Sequence, residues 1–143
     1  DAIHVNVTAY NRNVLLTGQV PDEATRSEVG RIASQVENVR GIVNELQVAG
    51  ISSLSSRSND TVITSKVRAR FIDQTVKSAH HIKVVTEAGT VFLMGIVTQR
   101  EADAATEVAR NTAGVQKVVR VFEYISEEEA ARIDSLPKNE QQN

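Results

Sequence analysis

The sequence contains a tandem repeat, and this repeat constrains the fold more than any other feature. A stretch near the N-terminus aligns with a later stretch at an offset of 77 residues, which drops to 76 after one residue is lost. Repeats of this kind indicate two copies of one structural unit. The aligned pairs are Val14 and Val91, Leu16 and Leu93, Gly18 and Gly95, Ala33 and Ala109, and Val39 and Val115.

The second copy predicts the element order α-β-β-α-β. Alternating apolar residues around Gly89 are typical of a β-hairpin, and Thr98 with Glu101 forms the pattern of a capping box at the start of a helix. Gly114 fits the left-handed residue that ends this helix. The predicted elements are a helix over 60–75 capped by Asp60 or Thr61, strands over 82–86 and 91–97, a helix over 99–112 and a strand over 115–124.

The first copy predicts the same later elements, with Asp22 as the cap of its helix, but no counterpart of the helix over 60–75. We therefore expect an α+β fold of two modules, each with its helices on one face of a three-stranded mixed sheet. The predicted organisation is a first module over 1–50 lacking its opening helix, a serine-rich linker over 51–59, a second module over 60–125, and a short helix with a disordered tail over 126–143. The strands and helix predicted in the first copy cover 3–9, 14–20, 22–36 and 42–49.

Composition and spacing argue against several function classes. The chain has 143 residues, no cysteine and a net charge of -2, which gives nucleic-acid binding little electrostatic support. The three histidines, His4, His80 and His81, lack chelating spacing, and no Gly-x-Ser-x-Gly motif supplies a nucleophile. The sequence therefore predicts no metal, no cofactor and no enzymatic activity.

Three short motifs resemble those of BON domains. They are Gly95-Ile96-Val97 and Gly114-Val115 in the second copy and Gly18-Gln19-Val20 in the first, and we expect Gly18, Gly95 and Gly114 to be structural. The first copy departs from the pattern at Asn38, which tolerates a left-handed backbone. Resemblance to tandem BON proteins implies a precursor with a signal peptide and a lipidated cysteine. The resemblance also implies residence on the periplasmic face of the outer membrane, a role in envelope integrity, and no catalysis.

The resemblance further implies that the first helix of the second module binds anionic, phosphatidylglycerol-type phospholipid. Lys66 and Arg70 lie four residues apart with Val62 one turn earlier, a combination suited to an interfacial helix. The resemblance implies tryptophan, a strong interfacial anchor, at the position where this chain has Val62, and Val62 should therefore weaken insertion. The predicted lipid-binding residues are Val62, Ile63, Lys66, Arg68, Arg70 and Ile72.

Two alternatives remain open on the sequence alone. The cations of this helix are equally typical of the solvated face of an amphipathic helix. The second alternative is that the protein is an interaction scaffold for outer-membrane assembly. In that case this basic helix docks on an acidic surface of a partner protein and recognises no lipid. Binding to protein-free vesicles distinguishes a lipid-binding protein from such a scaffold.

Overall fold

The computed structural model describes residues 3–50, 54–74 and 81–136. The chain forms two compact units, Asp1–Ser58 (unit 1) and Asn59–Asn143 (unit 2). Three predictions fall outside the described residues: the linker over 51–53, the position of His80, and the disordered tail over 137–143.

Unit 1 contains a hairpin, a helix and two short parallel strands. Strand β2 pairs antiparallel with β1 and parallel with both β3 and β4. The apolar side chains of β2 that point toward the helix, Val14, Leu16 and Val20, form a core with Leu46. The elements are β1 (His4–Tyr10), β2 (Asn13–Val20), α1 (Glu23–Ser34), β3 (Gly41–Asn44) and β4 (Gln47–Val48).

The last strand of unit 1 is interrupted, whereas the sequence predicted one strand over 42–49. The guanidinium group of Arg26 donates to the carbonyl oxygens of Asn44 at 2.8 Å and Leu46 at 3.0 Å. The side-chain oxygen of Asn44 accepts from the backbone N–H of Leu46. These side-chain bonds lie at the break between β3 and β4, where the backbone N–H of Glu45 still donates to the carbonyl oxygen of Leu16 at 2.9 Å.

Unit 2 contains the complete α-β-β-α-β order and a further helix. Strand β6 pairs antiparallel with β5 and parallel with β7, so the sheet is mixed, as predicted. One core joins α2, α3 and the sheet, and it contains Ile63, Val67 and Phe71 of α2. The elements are α2 (Leu54–Asp73), β5 (Lys83–Glu87), β6 (Thr90–Val97), α3 (Gln99–Arg110), β7 (Lys117–Tyr124) and α4 (Glu127–Asp134). The boundary between the units falls inside α2, and we describe the whole helix with unit 2 because its core residues belong there.

The predicted helix starts of α1 and α3 are confirmed. The side chain of Asp22 accepts from the backbone N–H of Thr25 at 2.7 Å, and hydrogen bonds from the side chain and then the backbone of Thr25 lower the pKa of the Asp22 carboxyl. Thr98 and Glu101 form the full capping box, with each side chain bonded to the backbone of the other residue. Asn38 adopts a left-handed backbone with φ of 73°, as expected of an asparagine at this position.

The predicted start of α2 is wrong. The helix begins at Leu54, so residues 54–59, which we assigned to a linker, are helical. Asp60 lies inside the helix and is buried. Its carboxylate accepts hydrogen bonds from the backbone N–H groups of Ala88 and Gly89 in the β5–β6 turn. Asp60 therefore anchors the hairpin and does not cap the helix.

Candidate binding surface on helix α2

The inner side of α2 is fixed to the sheet of unit 2. Ile63, Val67 and Phe71 are each at most 1% exposed and belong to the core of the unit. Ile63 packs so closely that a Cβ atom on Gly114 would lie 3.3 Å from its side chain. The assignment of Ile63 to the lipid-binding surface is therefore corrected: its side chain faces the core and is withdrawn from the site.

Polar contacts fix the same helix at two further points. The Asp60 oxygens lie 2.8 Å from the nitrogen of Ala88 and 2.9 Å from that of Gly89. One turn later, the hydroxyls of Thr64 and Thr86 are 2.7 Å apart. Both contacts join α2 to the β5–β6 hairpin. Together with the apolar core, they determine which side chains of α2 point outward.

The outer side of α2 carries the other five predicted residues. Val62 is 49% exposed and Ile72 is 75% exposed. Lys66 and Arg68 are exposed, whereas Arg70 is half-buried. With 3.6 residues per turn, these residues form two stripes. We call the whole set the α2 outer surface: Val62, Lys66 and Arg70 on one flank, Arg68 and Ile72 on the other, with Ser65 and Ala69 between them.

The cations of the α2 outer surface have no acidic partner among the described residues. The side chains of Lys66, Arg68 and Arg70 make no hydrogen bond or ion pair with any residue that the structure describes, and the buried Nε atom of Arg70 is unsatisfied. Arginines on the other helices behave differently, because each pairs with a glutamate. These pairs are Arg26–Glu23, Arg31–Glu28, Arg100–Glu127, Arg110–Glu107 and Arg132–Glu129.

Other site types find no support in the described ranges. Within residues 3–50, 54–74 and 81–136, no group of three or more histidine, aspartate or glutamate side chains is arranged to hold a metal ion. Over the same ranges, no helix combines the length and apolar character needed to cross a membrane. The α2 outer surface is therefore the candidate site.

The BON domain family model matches residues 1–50 and 59–126. The chain belongs to the BON domain family. The two matched segments correspond to the two repeats, so this is a tandem BON protein.

Three proteins of known name are similar to most of this BON chain. It is 42% identical over 122 residues to the outer membrane lipoprotein DolP of Haemophilus influenzae. It is 38% identical over 121 residues to a 21 kDa hemolysin of Actinobacillus pleuropneumoniae, and 31% identical over 117 residues to the osmotically-inducible protein Y of Escherichia coli K12. The alignments cover 85%, 85% and 80% of this chain. They cover 63%, 62% and 58% of the relatives, so the chain spans about three fifths of their length.

Sequence reasoning did not identify the anchoring role of Asp60. An aspartate at the predicted start of a helix is a typical N-cap, and the partners of Asp60 lie 28 and 29 residues later. One signal was present in the neighbouring serine-rich stretch: residues 54–59 contain no glycine or proline to keep them out of a helix.

Proposed function

We propose that this protein resides on the periplasmic face of the outer membrane and binds anionic phospholipid through the α2 outer surface of unit 2. Similarity to an outer membrane lipoprotein supports the location and a lipid anchor in the complete polypeptide. The proposed role is non-enzymatic support of envelope integrity. The ligand class is the one that the BON resemblance implies, and the unpaired cations of α2 support it.

The unpaired cations carry the proposal. Lys66, Arg68 and Arg70 make no ion pair with the described residues, whereas the arginines of α1, α3 and α4 are all paired. A basic side chain near an anionic membrane contributes about 1 kcal/mol of binding free energy. Three such side chains give weak, salt-sensitive binding, which becomes stable attachment when a lipid anchor supplies a second signal.

The shape of the α2 outer surface suits a membrane interface. Ser65 and Ala69 are small and exposed, and they lie between the two flanks. A membrane surface that lay against Ser65 and Ala69 would contact an apolar side chain and a cation on each flank of the helix. Lysine and arginine side chains extend toward phosphate groups while apolar neighbours remain deeper in the interface. Val62 and Ile72, ten residues apart, are separated by about 15 Å along the helix.

Vesicle flotation tests the proposal. We expect the chain of residues 1–143 to float with vesicles of phosphatidylglycerol and phosphatidylcholine and to remain unbound with phosphatidylcholine alone. Binding should fall as salt is raised, because exposed charges are screened within about 10 Å at 0.1 M. Equal binding to both vesicles would contradict recognition of the anionic headgroup. No binding to either would favour the protein-interaction scaffold.

A further inference from the structure

The outer edge of strand β7 is open in unit 2. The sheet has the order β5-β6-β7, so among the described residues β7 pairs on one side alone. The backbone N–H of Ile125 donates to the carbonyl oxygen of Val97 at 2.9 Å. Because backbone groups alternate in direction along a parallel ladder, this bond fixes which groups of β7 point away from β6. They are the N–H and C=O groups of Val118, Arg120 and Phe122, and we call this row the β7 edge.

The equivalent edge of unit 1 is interrupted. There β3 contains four residues, and the Arg26 guanidinium group donates to two carbonyl oxygens at the break before β4. In contrast, β7 runs over eight residues and contains no proline or glycine. Helix α4 follows β7 but does not pack along it. Proteins usually shorten or cover edge strands, because exposed backbone groups pair readily with another chain. The β7 edge is therefore a candidate interaction surface.

The sequence of β7 is complementary to itself when it is read in the opposite direction. In an antiparallel pair of two β7 strands centred on Arg120, apolar residues lie opposite apolar residues and a lysine lies opposite a glutamate. Two-fold symmetry repeats each of these pairs, as in an isologous dimer. Cross-strand pairs of opposite charge stabilise a sheet. The opposed pairs are Lys117 and Glu123, Val118 and Phe122, and Val119 and Val121.

The backbone and the side chains agree on this arrangement. Val118 pairs with Phe122 of the second copy, and both positions have backbone groups that point outward, so the two strands can exchange hydrogen bonds there. The same two side chains are half-buried and pack against the core of unit 2. Pairing therefore extends that core across the symmetry axis.

Arg120 lies on the symmetry axis, where it faces Arg120 of the second copy. Like charges directly opposite each other destabilise a sheet. The guanidinium group of Arg120 forms an ion pair with Asp103 of α3 at 2.9 Å. Each copy therefore brings a carboxylate that offsets the charge of its own arginine.

We propose that this protein forms a homodimer in which two β7 edges pair antiparallel. The pairing joins the three-stranded sheets of two copies of unit 2 into one continuous sheet. The partner is a second copy of this chain because the charges and the apolar residues of β7 match their own reversed order. The β7 edge lies outside the α2 outer surface, so the inference does not rest on the proposed lipid binding.

Analytical ultracentrifugation of the chain of residues 1–143 tests the proposal, and we expect a monomer–dimer equilibrium. Lys117→Glu should weaken the dimer about tenfold, because two pairs of opposite charge become pairs of like charge. Combining Lys117→Glu with Glu123→Lys should restore the dimer, since every pair is again of opposite charge. Lys83→Glu is the matched control: it changes an exposed lysine on β5, at the other edge of the same sheet, and should dimerise normally. Circular dichroism checks that the variants are folded.

Cysteine cross-linking tests the register of the two strands. The chain contains no cysteine, and an antiparallel pair without hydrogen bonds brings two Cα atoms to about 4.5 Å, which suits a disulfide. A mixture of Val119→Cys and Val121→Cys chains should therefore cross-link more than either chain alone.

Four results would overturn the proposal. One is a chain that stays monomeric at about 1 mM, which corresponds to very weak association. The second is a combined Lys117→Glu and Glu123→Lys variant that fails to recover the dimer. The third is equal weakening by Lys83→Glu, and the fourth is equal cross-linking of the cysteine mixture and the single variants.

Discussion

The carboxylate of Asp60 holds the backbone N–H of Gly89 at 2.9 Å, joining a helix to a hairpin turn 29 residues further along the chain. The second oxygen of the same carboxylate accepts from Ala88 at 2.8 Å. Both turn residues have left-handed backbones. The contact helps to set the position of α2 over the sheet, and with it the exposure of Lys66.

Asp60→Asn should destabilise the protein. An amide offers one acceptor oxygen in place of two, so one buried backbone N–H loses its partner at a cost of about 1–3 kcal/mol. Urea denaturation measures this change in the free energy of unfolding. Asp73→Asn is the control at an exposed position of the same helix, where we expect a change below about 0.5 kcal/mol. Equal stability of the two variants would show that Asp60 does not anchor the hairpin.

Gly18→Ala should be strongly destabilising. Gly18 has φ of 127°, and a Cβ atom there would lie 1.9 Å from the carbonyl oxygen of His4. The clash is with backbone, which a side-chain rotation cannot relieve, so we expect a loss of about 3 kcal/mol or more. Gly50→Ala provides the comparison, because nothing lies within 4 Å of the position that its added methyl group would occupy. A thermal melt in which both variants match the parent would refute this account of the β1–β2 contact.

Reversing the charges of Lys66 and Arg70 should abolish vesicle binding. The Lys66→Glu and Arg70→Glu double variant replaces two attractive charges with two that an anionic surface repels. Lys117→Glu with Arg132→Glu makes the same change in net charge elsewhere in unit 2 and should reduce binding only modestly. Circular dichroism checks that both variants are folded. Similar losses in the two double variants would mean that net charge, rather than the α2 outer surface, governs binding.

Val62→Trp should strengthen binding to anionic vesicles. Tryptophan favours the membrane interface, where its amphipathic ring sits at the headgroup level. Val62 and Val48 are both 49% exposed, so Val48→Trp controls for the added aromatic surface. Vesicle titration followed by tryptophan fluorescence should show tighter binding and a blue shift for Val62→Trp alone. Equal affinities for the two variants would place Val62 away from the lipid contact.

The sequence predicted those elements whose signals are local. The alternation in β6 and the Thr98–Glu101 capping box are confirmed because they depend on neighbouring residues. Two predictions were wrong, the single strand over 42–49 and the start of α2, and both regions make contacts with residues far away in the sequence. At the β3–β4 break, Arg26 bonds carbonyl groups that lie 18 and 20 residues later in the chain. Asp60, which was predicted to cap α2, instead bonds a turn that forms 28 residues later.

Part of the candidate site was also predictable from the sequence. Charge and spacing correctly indicated that Lys66 lies on an exposed side of the helix with Val62. The same reasoning counted Ile63 as a lipid contact, although it also placed Ile63 on the apolar stripe of the helix. The buried position of Ile63 settles this conflict in favour of the core. The absence of acidic partners around Lys66, Arg68 and Arg70 in the described structure is a tertiary property, which sequence spacing alone does not give.

A backbone NMR titration is the sharpest test of whether the α2 outer surface recognises anionic phospholipid. Micelles containing phosphatidylglycerol are added to the chain, and the titration is repeated with zwitterionic micelles. We expect shifts concentrated between Val62 and Ile72 with the anionic micelles alone. Shifts of equal size with zwitterionic micelles, or shifts that spare this stretch of α2, would contradict it.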